Sequence, residues 1–224
     1  MNDRDYHHAL ATIRSPFPRW TAYLAMLATA NRVALDPRNY MLVGSATLAH
    51  RGIRDVNDLD IFAASPEALA ALEVLGERVT IEGSESDELH YNGATLVRLD
   101  VDLPVIGRAR VDLFDKLPGV EGLAFTEARE RFGWLVHDES SLAYCVGTPR
   151  LCLAVKAMAL RSERKRANTL QDHTDMLALV GLIARDEGDD ESVPVELAPH
   201  DAPDWLGPHE PAPPGCTCAK CVTP

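Results

Sequence analysis

YMLVGSATLAHRGIRDVNDLDIFA, residues 40–63, decides how this chain is read. Tyr40 to Val43 is a short apolar run ending at Gly44, the mark of a buried strand. Ala46 to His50 reads as a short helix, and Leu59 to Ala63 as a second strand. Twelve residues separate Ser45 from Asp58, and Asp58-Leu59-Asp60 opens the second strand. Residues two apart in a strand share a face and lie roughly 6.5–7 Å from each other. Asp58 and Asp60 therefore project together while Leu59 and Ile61 turn to the core. Two carboxylates on one open face repel each other unless a cation sits between them. Mg²⁺ (or Mn²⁺) suits such a place, since it takes a few carboxylates and completes its shell with phosphate oxygens. Gly44 lets backbone approach a triphosphate closely, and Ser45 offers a hydroxyl and an N–H at the start of a helix.

Downstream, Arg98, Asp100 and Asp102 alternate with Val97, Leu99, Val101 and Leu103, and Arg108, Arg110, Asp112 and Phe114 repeat the alternation after Pro104 to Gly107. This is a hairpin. A register pairing Asp102 with Arg108 and Asp100 with Arg110 sets opposite charges across the strands and brings Arg98 opposite Asp112. Each such pair favours the register by roughly 0.2–1 kcal/mol. Asp112, between Val111 and Leu113, is the preferred third carboxylate, with Asp100 and Asp102 as rivals whose other role is to neutralise Arg108 and Arg110. Three carboxylates would complete a two-metal site with ions about 3.5–4 Å apart.

Around this centre the pattern predicts an amphipathic helix from Pro18 to about Asn31 and a helix capped by Ser65 with Pro66 at its first position, running through Leu75. A strand is expected at Val79 to Glu82, a polar loop at Gly83 to Asp87, a helix at Thr126 to Phe132 and an apolar patch at Trp134 to Val136. Thr148-Pro149 starts a helix to about Arg164 with Leu151, Val155, Met158 and Ala159 on one face. Leu170 to Ala184 forms another, with Met176, Leu177, Val180 and Ile183 as its stripe. The expected organisation is an α/β (α+β) domain over residues 1–148, with a short mixed sheet flanked by helices. A small helical segment follows over 149–186, then an acidic, proline-rich tail over 187–224 that is expected to be disordered.

The net charge of −12 is unevenly spread: residues 186–224 hold nine of the 34 acidic residues and one of the 22 basic ones. The remainder is near balance, so a local basic patch remains compatible with a nucleic-acid partner. The chain has no run of eighteen apolar residues, and MNDRDYHHAL is unlike a signal peptide, so no membrane span and a cytoplasmic location are expected. Cys216, Cys218 and Cys221 crowd the C-terminus. They read either as reduced thiols or, with His209, as a structural zinc site.

Gly44-Ser45, the phrase ArgAspValAsnAspLeuAspIlePhe (54–62) and the later strand aspartate resemble the signature of the DNA polymerase β-type nucleotidyltransferases. Lys156, Ala159 and Arg161 followed by Gln171-Asp172-His173-Thr174-Asp175 are similar to the minimal and abortive-infection toxin branch of toxin–antitoxin systems. There a lysine and an arginine on one helix and two acids on the next flank the nucleotide pocket. The likeness spans about residues 38 to 182, and Gln171 stands where that branch usually has lysine. The resemblance implies a nucleotidyltransferase fold, catalysis and metal binding by Asp58, Asp60 and Asp112, and nucleotide binding by Gly44, Ser45, Lys156 and Arg161. The partner is then an NTP, whose NMP passes to an acceptor with release of pyrophosphate.

Arg150, Lys156, Arg161, Arg164, Lys165 and Arg166 on one helical segment suit an RNA acceptor. Asp87, Glu88, Asp100 and Asp102 would instead suit a cationic small molecule, and a protein acceptor remains open. Two bland readings stand beside these: Lys156 as a snorkelling lysine, and the basic run as a solvated helix end. The rival for the whole chain is a non-catalytic binding or regulatory module of the same fold.

Overall fold

The computed structural model describes residues 3–31, 36–81, 88–91, 94–117, 125–137, 143–161 and 169–187. Eight strands form one mixed sheet: β1 (Tyr40–Val43), β2 (Leu59–Ala63), β3 (Glu77–Arg78), β4 (Glu88–Tyr91), β5 (Ala94–Leu103), β6 (Gly107–Phe114), β7 (Gly133–His137) and β8 (Ala143–Gly147). Their order is β3-β5-β6-β2-β1-β8-β7, and β4 shares with β3 the outer edge of β5. β2 runs parallel to β6 and β1 parallel to β8, while the other pairs are antiparallel. The sheet is thus larger than the sequence pattern suggests. The expected strand at Val79–Glu82 is instead β3, two residues earlier.

The hairpin β5–β6 has the register that the charges dictate. Asp102 stands opposite Arg108, Asp100 opposite Arg110 and Arg98 opposite Asp112. The closest ion pair near its turn is diagonal, Arg108 with Asp100. Alternation then sorts the faces. Leu42, Leu59, Ile61, Val97, Leu99, Val111 and Leu113 point to one side, where they pack with helices α1 (Asp3–Thr12), α2 (Pro18–Asn31) and α4 (Pro66–Leu72) into the main core. Ser65 caps α4 by accepting from the Ala68 N–H at 3.2 Å, and the chain tightens into a 3₁₀ turn over Glu73–Leu75.

The opposite face is covered only in part. Met41, Val43 and Phe62 lie under Phe125 and Ala128 of α5 (Phe125–Phe132) and Leu151 of α6 (Pro149–Arg161). α3 (Ser45–His50) contributes Leu48 to a third cluster with Cys152 of α6 and with Leu179 and Leu182 of α7 (Thr169–Glu187). The C-terminal helices are therefore built into the same body as the strand that carries Asp60.

The stripe expected on α7 is corrected. Leu177 is 76% exposed and Val180 51% exposed, while Asp175, Leu179 and Leu182 face inward. The cause is electrostatic: Asp175 is drawn in by two cations, and Leu179 and Leu182, four and seven residues on, follow it round the helix. Residues 188–224, with the cysteine cluster and the expected tail, lie outside the described residues. So do Asp87, Arg164, Lys165 and Arg166, and the side chains of Glu88, Met158, Ala159 and Arg161. No described helix is long and apolar enough to cross a membrane.

Candidate active site

The second face also holds a row of charges running across three strands. Asp60 of β2 pairs in register with Asp112 of β6, which pairs with Arg98 of β5. Asp58 sits one residue before β2, where the charge of Asp112 acts on it, and Leu59 and Ile61 are turned fully into the core. The structure thus brings together Asp58, Asp60 and Asp112 from segments separated by about fifty residues. The Asp58 pKa is raised, first by burial and then by the charge of Asp112, with Arg110 acting in the opposite direction.

Asp112 is 6% exposed. Both of its oxygens accept from Arg98, Nε–Oδ1 at 2.7 Å and Nη2–Oδ2 at 2.6 Å. This bidentate fork is among the stronger side-chain contacts available, and it raises the Arg98 pKa further. Asp100, a rival for the third carboxylate, is paired with Arg108, and Asp102 is exposed. Among the described residues no three His, Cys, Asp or Glu side chains are already gathered around a point fit for a metal ion. The donor chemistry fits a divalent cation at Asp58 and Asp60, where a carboxylate of raised pKa stands in a cluster of acids. Asp112 fits only if Arg98 lets it go.

Gly44 forms the wall beside this row. Its backbone has φ 63° and ψ −131°, a region closed to ordinary L residues, and the space where a Cβ would stand is occupied by the Asp60 carboxylate. The glycine is therefore required twice, for its conformation and for the close approach of Asp60. Ser45 is buried and aims its hydroxyl at the Asp58 carbonyl across a long 3.5 Å. Two further contacts fix the turn from behind. The Cys152 thiol donates to the Gly44 carbonyl at 2.8 Å, and the Thr47 hydroxyl donates to the Gly147 carbonyl at 2.9 Å. Burial pushes the Cys152 thiol up to about 12, which keeps it a protonated donor. On the core side, the Tyr23 hydroxyl donates to the Arg110 carbonyl at 2.8 Å, and burial together with the charge of Asp58 keeps that phenol neutral.

A second charged cluster adjoins the first. Arg54, in the segment leading to β2, forks onto Asp175 with both contacts at 2.6 Å. Lys156 of α6 reaches the same carboxylate at 2.8 Å and Asp172 at 3.1 Å. Gln171 adds a donor to Asp175 at 2.9 Å. Burial works against the charge of Asp175, but the hydrogen bonds from Arg54, Lys156 and Gln171 outweigh it and hold the carboxyl at about 2. For Lys156, too, burial opposes the charge, and Asp175 more than offsets it, so its pKa is raised.

Lys156 is therefore no snorkelling lysine: it is 9% exposed and paired with two acids. For the same reason it does not belong to a solvent-facing basic track. Arg54, Arg98 and Cys152 also contact these residues, and the sequence pattern assigns none of them a place in the site. Arg98 was visible as the partner of Asp112, and Arg54 stands within the quoted 54–62 phrase. Cys152 carried no signal beyond its apolar surroundings.

No family model matches the chain, and no curated protein is significantly similar to it. Among solved structures, the chain is similar to that of an antigenic nucleotidyltransferase-like protein from Paracoccidioides brasiliensis. The identity is 13%, the TM-score 0.46, and the match covers 75% of this chain and 78% of the other.

Proposed function

We propose that this protein is a nucleotidyltransferase that moves an NMP from an NTP to an acceptor. The observation that carries the reading is the convergence of Gly44, Asp58, Asp60 and Asp112, with Gly44 held free of a side chain so that Asp60 can lie against it. Carboxylates gathered in this way cost stability unless a cation is bound among them, and a glycine turn beside them suits a polyphosphate. Bound at Asp58 and Asp60, Mg²⁺ (or Mn²⁺) would supply charge neutralisation for the triphosphate and the entering hydroxyl. In the reaction the acceptor oxygen forms a bond to the α-phosphorus, the bond from that phosphorus to the β-phosphate oxygen breaks, pyrophosphate leaves, and the hydroxyl proton passes to solvent. The chain's own work is positioning: Cys152 and Thr47 fix the Gly44 turn, and Arg54 with Asp175 fixes the approach to β2.

The acceptor reading favours RNA, on the run Arg161, Arg164, Lys165 and Arg166. Labelled NTPs, Mg²⁺ and total RNA or total protein form the direct assay. Transfer should appear on RNA and be abolished in Asp60→Asn. Retention of activity within about tenfold of wild type, a loss below ~1.4 kcal/mol of transition-state stabilisation, would remove Asp60 from the chemistry. Label on protein, or on a cationic small molecule, would correct the acceptor. An absence of turnover with any NTP would favour the non-catalytic module.

A further inference from the structure

We propose that Arg98 is a resident counter-ion of the third carboxylate: it occupies Asp112 in place of a second divalent cation and gives it up only to polyphosphate. The inference rests on the nucleotidyl-transfer reading above. Its starting point is that Asp112 and Asp60 are register partners on one face, while both oxygens of Asp112 are already committed to a guanidinium at 2.6 and 2.7 Å. A cation approaching Asp112 from the side of Asp60 meets a carboxylate whose charge is matched and an arginine of like sign behind it. Asp112 is 6% exposed, so solvent does little to weaken the fork.

Register alone does not explain this pair. The hairpin already carries complementary rows at Asp100–Arg110 and Asp102–Arg108, nearer its turn. A buried ion pair adds little net stability over a packed apolar pair, so its place beside Asp58 and Asp60 calls for another account. Arginine's planar fork accepts phosphate as readily as carboxylate, and its weak hydration eases the exchange. Arg98 also feels Asp58 and Asp60 electrostatically, which places it within the field of the same cluster. It is therefore a positioning residue, acting on the nucleotide through the metal occupancy of Asp112.

The test counts Mn²⁺ bound to the full-length protein by equilibrium dialysis, with and without a non-hydrolysable NTP analogue present on both sides of the membrane. Wild type should hold one equivalent alone and two with the analogue. Arg98→Met should hold two without it, and Arg98→Lys, which keeps a cation near Asp112, should return towards one. A purely structural salt bridge would change melting temperature in these variants without changing the count. Two equivalents in wild type without nucleotide, or one in a folded Arg98→Met protein, overturns the proposal. Should Arg98→Met fail to fold, the wild-type counts with and without the analogue decide it. NTP turnover with a nucleotide-independent count sinks the Arg98 role alone. No bound Mn²⁺ under either condition, with no turnover, sinks the nucleotidyl-transfer reading as well.

Discussion

Replacing Asp175 by asparagine preserves its shape and removes the charge on which the second cluster is built. In the folded protein the side chain is 2% exposed and accepts from Arg54 twice at 2.6 Å, from Lys156 at 2.8 Å and from Gln171 at 2.9 Å. Asparagine has one acceptor oxygen and turns an NH₂ towards a donor. Removing one partner of a buried ion pair costs about 3–5 kcal/mol. Because Asp172 at 3.1 Å still partners Lys156, the lower end applies, about 3 kcal/mol. In a chain of this length each kcal/mol moves the melting temperature by about 2–4 °C, so Asp175→Asn should melt about 6–12 °C lower at pH 7.

Acid provides the control. The folded pKa of Asp175 is depressed from 3.8 to about 2, so its contribution is complete above the unfolded value and is lost as pH falls through the folded one. At 1.36 kcal/mol per unit this is on the order of 2 kcal/mol. The gap between wild type and variant in urea denaturation should therefore shrink by most of that amount between pH 5 and pH 2.5. A melting shift below about 2 °C at pH 7, on the same conversion, would refute the argument, as would a gap that does not change with pH.

Two further outcomes are expected. Gly44→Ala should lose about 1–3 kcal/mol from its backbone conformation alone and should weaken Mn²⁺ binding by displacing Asp60, read by calorimetry and Mn²⁺ titration; a variant matching wild type in both would show the turn to be tolerant. Asp58→Asn should melt higher than wild type in metal-free buffer, because a carboxyl whose folded pKa is raised by burial and by Asp112 subtracts from stability as pH rises through that pKa. It should also lose the added stability that Mg²⁺ gives wild type, and a lower metal-free melting temperature would count against the mutual repulsion of these acids.

The parts of the fold legible in the sequence are those where one physical signal dominates. Alternating charges set the hairpin register to the residue, since sliding β5 against β6 by one position would turn Val97 and Leu99 out of the core. The Ser65–Pro66 cap and the Pro18 start read correctly for the same reason: both act within one turn. β8, Ala-Tyr-Cys-Val-Gly, has no alternation because both of its faces are covered, and it went unread. β4 pairs with the start of β5, Tyr91 opposite Ala94, so its partner is local, and the Asn92-Gly93 dipeptide between the two strands is a hairpin signal that went unread as well.

The candidate site divides along the same line. Gly44, Asp58 and Asp60 were legible because spacing along one strand and one turn brings them together. The fork on Asp112 was half legible: the register placed Arg98 opposite it, but whether that arginine closes on the carboxylate depends on how deeply both are buried. The cluster on α7 was misread in orientation, and the reason is instructive. An apolar stripe of Met176, Leu177, Val180 and Ile183 has the right period, yet the helix turns Asp175 inward instead. Leu177 left exposed loses about 1.5–3 kcal/mol of burial. Asp175 left outside would strand the partly buried Arg54 without its carboxylate and take from the buried Lys156 the closer of its two acids, at several kcal/mol. Where a helix offers both an apolar face and the acid that two such cations share, the acid decides which side faces in.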